Sequence, residues 1–117
     1  MENLIIKQKL EDAIQYAYCA FRRFPKSERF VLVADLKRSL IRMLEMVIRA
    51  NKSRDKLTVL YNIDVELEVF RSLIRLSMDL KFLPLKQYEI LSNKMAEFGR
   101  LLGGWIRQSR EYRQRQG

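Results

Sequence analysis

The 117-residue sequence has no histidine, a single cysteine, two prolines and four glycines. The absence of His removes the commonest general base, the Ser-His and Cys-His pairings of nucleophilic enzymes, and the Glu-x-x-His iron sites of helical bundles. No Gly-rich phosphate loop precedes a Lys-Ser or Lys-Thr pair, and a lone Cys offers too few ligands for zinc. We therefore expect no enzyme, no metal site and no cofactor.

The sequence also has little cysteine and no long run of apolar residues. Cys19 cannot form an internal disulfide, and its apolar surroundings between Tyr16 and Phe21 predict a buried thiol in a reducing compartment. Only Leu4, Ile5 and Ile6 stand between Asn3 and the charges that resume at Lys7, and no run reaches the roughly 18 apolar residues needed to cross a bilayer. These features predict a cytoplasmic protein that has no signal peptide and no membrane span.

With so few helix breakers, apolar residues recur at spacings of three and four along most of the chain. The pattern predicts four helices at about residues 3–23, 27–50, 55–81 and 86–112, followed by a basic, frayed tail at 113–117. In helix 2 we expect Ser27 to cap the N-terminus and Phe30 to begin the core stripe that continues through Val33, Leu40 and Val47. Short connections predict an all-α, antiparallel, up-down-up-down bundle in one domain spanning residues 1–117.

A second architecture is an open helical hairpin that completes its core only by oligomerising. Even the closed bundle has more apolar positions than one core readily buries, and these favour a cyclic homo-oligomer. The surplus residues are Leu32, Met46, Ile48, Leu76 and Leu101.

The sequence has 23 Lys and Arg against 14 Asp and Glu, a net charge of +9 that predicts attraction to polyanions. Nucleic acid is the first candidate, an anionic membrane surface the second and an acidic protein the third. Residues 22–56 contain eleven basic and four acidic residues, and Arg38, Arg42 and Arg49 share one side of helix 2, where they could follow a phosphate backbone. An ordinary solvated face is the alternative. The other candidate binding residues are Arg22, Arg23, Arg107 and Arg110.

Helix 3 has a stripe of mixed charge at spacings of three and four, formed by Asp64, Glu68, Arg71, Arg75 and Asp79. It fits a ladder of intrahelical ion pairs, or two guanidinium groups held by Glu68 and Asp79 for contact with phosphate or a protein carboxylate. The acidic cluster around Glu66 could bind a cation, but we expect solvated side chains or partners of nearby arginines.

Helix 4 contains Gly99, Gly103 and Gly104 within a helical pattern, each costing about 1 kcal/mol relative to Ala. We expect the glycines to allow close approach of another backbone and Trp105 to fill a helix crossing or a subunit contact. A C-cap at Gly103 is the alternative.

Four segments carry a family resemblance: FPKSERF, LYNIDVELEVFRSLIRL, LPLKQYEIL and FGRLLGGWIR. In this order they resemble the four-helix-bundle family that includes the accessory variability determinant (Avd) of diversity-generating retroelements and proteins encoded in ribosomal RNA intervening sequences. GRLLGGWI and the helix 3 pattern are the most specific parts.

The resemblance implies a basic homopentameric barrel that binds a reverse transcriptase and template RNA, with DNA also open, to support mutagenic complementary DNA synthesis. It assigns no catalysis to the bundle itself. Arg71 and Arg75 match the helix 3 arginines of the family, and Gly103, Gly104 and Trp105 match its structural signature. Some members have no neighbouring reverse transcriptase, which leaves a structural bundle with an acidic protein partner as the alternative.

Overall fold

The computed structural model describes residues 3–116, which form four α-helices and no β-strand. The helices are α1 (Leu4–Phe21), α2 (Leu32–Lys52), α3 (Leu57–Asp79) and α4 (Leu85–Gln116), with a short 3-10 helix at Lys26–Glu28 between α1 and α2. The described part of the chain is a rod of 51 × 23 × 20 Å. The all-α prediction with four helices is confirmed.

Each helix packs against two neighbours, in the cyclic order α1, α2, α3, α4, and α1 lies diagonally opposite α3. At the start of α1, the Asn3 amide donates to Asn51 Oδ1 near the end of α2 over 2.6 Å. Near the start of α3, Tyr61 accepts a hydrogen bond from Arg110 late in α4. Both contacts join the first turns of one helix to the last turns of its neighbour, so these pairs run antiparallel.

The core runs the length of the rod and is built from the predicted helical faces. Burying one large apolar side chain contributes about 1.5–3 kcal/mol, so these faces supply most of the stabilisation of the bundle. The fully buried large residues include Ile6, Leu10, Leu36, Leu40, Met43, Leu60, Ile63, Phe70, Ile74, Leu91 and Phe98.

The connection between α1 and α2 differs from the prediction. The 3-10 helix follows Pro25, and α2 begins at Leu32 rather than near residue 27, without a side-chain cap from Ser27. Phe30 therefore lies before the first residue of α2, whereas Leu32 and the predicted stripe of Val33, Leu40 and Val47 are buried. Phe30 is 85% exposed, so its predicted core position is wrong.

The C-terminal end of α4 is helical where the sequence predicts fraying. The helix continues to Gln116, and Arg113 Nη2 donates to both carboxylate oxygens of Asp55 over 2.5 and 2.7 Å. This contact ties the last turns of α4 to the connection between α2 and α3. Residues 113–116 of the predicted tail are therefore helical, and Gly117 lies outside the described residues.

Cys19 also lies elsewhere than predicted. Ala17, Ala20 and Phe21 turn into the core at the end of α1, which directs Cys19 to the exposed side of the same helix. A run of apolar neighbours does not bury a residue whose helical phase points outward.

The turn between α3 and α4 is closed by backbone hydrogen bonds. Lys81 has a left-handed φ of 66°, and the amides of Phe82 and Leu83 both donate to the carbonyl of Ser77. Leu83 is buried, and Phe82 lies with its ring centroid 5.9 Å from that of Phe24. The aromatic contact holds this turn beside the connection between α1 and α2.

Candidate nucleic-acid and partner interface

Two of the three predicted phosphate-binding arginines of α2 have acidic partners. Arg38 Nη1 lies 2.6 Å from Asp35 Oδ1, and Arg42 Nη1 lies 3.1 Å from Glu66 Oε1 in α3. Arg49 is exposed and forms no ion pair within residues 3–116. Arg38 and Arg42 therefore have less free charge to offer a phosphate than Arg49 has.

Glu66 is the acidic residue that joins α2 to α3. Its side chain is only 12% exposed and accepts hydrogen bonds from Arg42 and from Ser39 Oγ, the latter over 2.6 Å. Asp64 and Glu68 are exposed on another side of α3. Within the described residues, no group of three or more acidic, Cys or His side chains converges as a metal site would.

The connection between α1 and α2 has a dense group of free cations. Arg22, Arg23, Lys26 and Arg29 are all exposed, and none forms an ion pair with another residue of the described chain. Sequence analysis selected Arg22 and Arg23 but not the other two. The structure places all four within one short segment at one end of the rod.

The charged stripe of α3 is more open than the predicted ladder. Arg75 Nε lies 3.8 Å from Asp79 Oδ1, a long contact between two exposed side chains. Arg71 is also exposed, and no ion pair to Glu68 is found among the described residues. Both guanidinium groups are therefore accessible, but neither is held firmly by a neighbouring carboxylate.

The arginines near the end of α4 differ in whether they have a partner. Arg110 Nε donates to the Tyr61 hydroxyl over 2.7 Å, whereas Arg107 is exposed and unpaired within residues 3–116. The hydrogen bond from Arg113 is the main reason that the pKa of Asp55 lies below its ordinary value of 3.8. Of the predicted pair, Arg107 is the more available for an external anion.

The glycines of α4 divide into two kinds. A Cβ added at Gly99 would lie 3.1 Å from Leu67 Cδ2, which supports the expected close approach of a neighbouring helix. Added Cβ atoms at Gly103 and Gly104 would meet nothing within 4 Å. All three glycines lie inside α4, so the C-cap alternative at Gly103 is wrong, and Trp105 is buried in the core.

An exposed apolar row lies on α3, and only Leu76 of its four residues is among the predicted surplus residues. Val65, Val69, Leu76 and Leu80 are 44–65% exposed and lie on the side of the helix opposite its buried residues. We call this row the α3 ridge. Its spacing of four, seven and four residues is helical, but the sequence pattern predicts only the buried side of α3.

The predicted surplus of apolar residues is only partly found at the surface. Leu76 and Ile48 are exposed, Met46 and Leu101 are half-buried against the core, and Leu32 is buried within it. Ile41 is exposed seven residues before Ile48. α2 and α3 therefore each have apolar side chains that are exposed to solvent.

None of the helices within residues 3–116 has the combination of length and hydropathy that would let it cross a membrane. Comparison with curated proteins finds no match. The family model described as bAvd-like matches residues 4–109, which include α1, α2, α3 and most of α4. The chain therefore belongs to the bAvd-like family, a family of Avd-type accessory proteins.

Proposed function

We propose that this chain is a non-catalytic accessory protein of a diversity-generating retroelement. It binds the template RNA and the reverse transcriptase in the cytoplasm and supports mutagenic synthesis of complementary DNA. Family membership supports the accessory role. The observation that carries the nucleic-acid part is the group of exposed cations without acidic partners, in a chain whose net charge is +9.

RNA binding in this proposal is mainly electrostatic and weakly selective for sequence. Arginines that lack an acidic partner can exchange counterions for phosphates without first breaking an ion pair. Arg22, Arg23 and Arg49 meet this condition, whereas Arg38 and Arg42 do not. We expect the logarithm of affinity to fall with the logarithm of salt concentration, with a slope of about −0.7 per phosphate contacted on single strands.

A charge-matched pair of triple variants tests which cations bind. Arg22→Gln/Arg23→Gln/Arg49→Gln removes three free charges, and Lys7→Gln/Lys9→Gln/Arg38→Gln removes three charges that are paired with Glu11, Glu97 and Asp35. In fluorescence anisotropy with a labelled RNA, the first variant should bind at least tenfold more weakly than the second. Equal losses would mean that net charge alone governs binding, and unchanged affinity in both would place the site elsewhere.

The reverse transcriptase in this proposal contacts α3 through Arg71 and Arg75. The two side chains are exposed and loosely paired, so replacing both with Ala should change stability by less than about 0.5 kcal/mol. An arginine desolvated at an interface contributes about 2 kcal/mol or more, so association with the cognate enzyme should weaken at least about thirtyfold. Normal association of a folded double variant would contradict this assignment.

Self-assembly is the third part of the proposal, with five copies favoured by the family resemblance. The α3 ridge projects from one corner of the bundle. Near the diagonally opposite helix α1 lies an open groove of about 640 Å³. Its apolar lining residues are Leu4, Ile14 and Leu44, and its polar ones are Lys7, Gln8, Glu11, Asp12 and Gln15. A ridge on one copy that enters the groove of the next makes a head-to-tail contact, and repeated rotation of such a contact closes a ring.

The self-assembly proposal is tested by Val65→Glu/Val69→Glu, which places two charges on the α3 ridge without touching the core. Light scattering should show an oligomer for the wild type and a monomer for the variant. Leu85→Glu, a change of an equally exposed apolar residue in α4, serves as control and should leave the oligomer intact. A monomeric wild type at micromolar concentration would refute the assembly.

The alternative function is a structural bundle that binds an acidic protein. Such a protein would also respond to salt, but without the steep slope that counterion release from a phosphate chain produces. A shallow salt dependence combined with no measurable RNA affinity would favour the alternative.

A further inference from the structure

Phe30 is the most exposed large apolar side chain in the described residues, at 85%. It follows the 3-10 helix Lys26–Glu28 and precedes α2, next to Val31, which is 58% exposed. An aromatic ring left in water forgoes the favourable free energy of burying its apolar surface. The exposure of Phe30 therefore indicates a binding surface whose ligand covers the ring.

The backbone around Phe30 is held in place. Phe21 and Phe24 pack edge to face at 5.5 Å, and the ring of Phe24 also contacts Phe82 in the turn between α3 and α4. The Val31 amide donates to the Glu28 carbonyl, and Leu32 is buried immediately after it. A ring presented from an anchored segment loses less conformational entropy on binding than one on a free loop.

The charges around Phe30 indicate what the ligand is. Arg22, Arg23, Lys26 and Arg29 lie within eight residues of the ring and have no acidic partner among the described residues. The contact between Phe24 and Phe82 also brings the exposed Lys81 to the same end of the rod. Glu28 is the one acidic residue in the segment from 22 to 31.

We propose that Phe30 is a stacking platform for unpaired bases, and that the surrounding cations bind the phosphates of the same single strand. This surface, formed by Phe30, Arg22, Arg23, Lys26 and Arg29, is called the stacking end. An aromatic ring beside a cationic track is the arrangement by which proteins bind single-stranded nucleic acid, since every base has a π-face. Paired bases keep their faces inside the duplex, so the stacking end distinguishes single strands from duplexes. The inference rests on the proposed nucleic-acid binding and adds the class of ligand and its place.

Tyr112, near the end of α4, is an exposed aromatic residue among arginines, at 52%. Two of these arginines have partners, since Arg113 is bonded to Asp55 and Arg110 donates to the Tyr61 hydroxyl, whereas Arg115 is exposed. Tyr112→Ala is therefore the matched control for Phe30→Ala. Neither side chain contributes to the core, so both variants should fold.

The experiment measures the affinity of the full chain for a labelled unstructured RNA, for the DNA strand of the same sequence and for an RNA duplex. Phe30→Ala should weaken both single strands about 5- to 150-fold, corresponding to about 1–3 kcal/mol for one stacked base. Duplex affinity should change less than about twofold, and the salt slope should not change because no phosphate contact is lost. Tyr112→Ala should change neither affinity.

A spectroscopic variant reports stacking directly. Trp105 is buried, so Phe30→Trp adds the one exposed indole in the described residues, and the wild type supplies the background. Single-stranded RNA should quench the fluorescence of the variant well beyond that of the wild type, with the duplex quenching it much less. Affinity should match or exceed that of the wild type.

The outcomes separate this inference from the function on which it rests. If the wild type binds no nucleic acid, the proposed function fails. If it binds but Phe30→Ala equals the wild type, or weakens single strand and duplex alike, only the stacking platform is refuted. A Phe30→Ala variant that changes oligomeric state would instead assign the ring to a subunit contact, and binding only to vesicles containing anionic lipid would assign it to a membrane surface. Either result overturns the inference.

Discussion

Replacing Arg42 should destabilise the bundle, whereas replacing Arg49, seven residues later on the same helix, should not. Arg42 is the charged partner of Glu66, whose side chain is 12% exposed and whose other bond comes from Ser39. Arg42→Ala leaves a largely buried carboxylate with one neutral donor. Arg49 is exposed and has no acidic partner among the described residues, so Arg49→Ala removes only a solvated side chain.

The magnitude follows from the burial of the two partners. A hydrogen bond between charged groups contributes about 1.5–3 kcal/mol, and an exposed ion pair contributes up to about 1 kcal/mol. Because Arg42 is 54% exposed while Glu66 is not, we expect a loss of about 1–2 kcal/mol. For a chain of this size that loss lowers Tm by about 4–8 °C, whereas Arg49→Ala should lower it by less than about 2 °C.

The assay is thermal unfolding followed by circular dichroism, at one fixed protein concentration because self-association makes Tm depend on concentration. A second variant isolates the cause: Arg42→Ala/Glu66→Gln removes the unpaired charge and keeps an acceptor for Ser39. Its Tm should lie above that of Arg42→Ala. Equal Tm values for the Arg42 and Arg49 variants, or a double variant below the single one, would refute the reasoning.

Two further predictions concern α4. Because its pKa in the folded chain lies below 3.8, Asp55 stabilises the folded state fully above about pH 4, and its contribution is lost as pH falls through the lower folded pKa. The protection factors of amides 110–116, which are corrected for the slower intrinsic exchange in acid, should therefore fall on acidification, and Asp55→Asn should show the lower protection already at pH 6. Protection factors unaffected by either change would contradict the anchoring role of Arg113. Gly103→Ala should raise stability by about 0.5–1 kcal/mol because its Cβ enters open space, whereas Gly99→Ala should gain less because its Cβ would press on Leu67. Thermal unfolding in which Gly99→Ala gains as much as Gly103→Ala would show that Leu67 yields freely.

Periodicity predicted the helices well where each one meets the core. Ile63, Leu67, Phe70 and Ile74 of α3 are buried as their spacing indicates. Spacing could not predict the start of α2, because Phe30, Val31, Leu32 and Val33 are four consecutive apolar residues. Any of them can begin the stripe when the preceding turn is unknown. The 3-10 helix decided where α2 begins, and with it the exposure of Phe30.

The sequence predicted the positive charge of the candidate site but not which of its arginines are free to bind a ligand. The sequence indicates an arginine-rich α2 but does not reveal that Arg42 is bonded to Glu66, 24 residues away. Likewise, Arg113 was assigned to a frayed tail, whereas Asp55, 58 residues away, holds it against the bundle. Sequence spacing identifies partners on the same helix and does not identify partners on a neighbouring one.

Four helices, a strong positive charge and membership of the bAvd-like family can all be recognised from the amino-acid sequence alone. Those properties depend on local spacing, composition and short motifs. The folded structure adds which arginines remain free, which apolar rows face outward, and that Phe30 is exposed in a segment whose Arg and Lys residues form no ion pair within the described residues. These features depend on the rotation of each helix about its own axis and on the helix against which it packs. Packing of the whole core determines both.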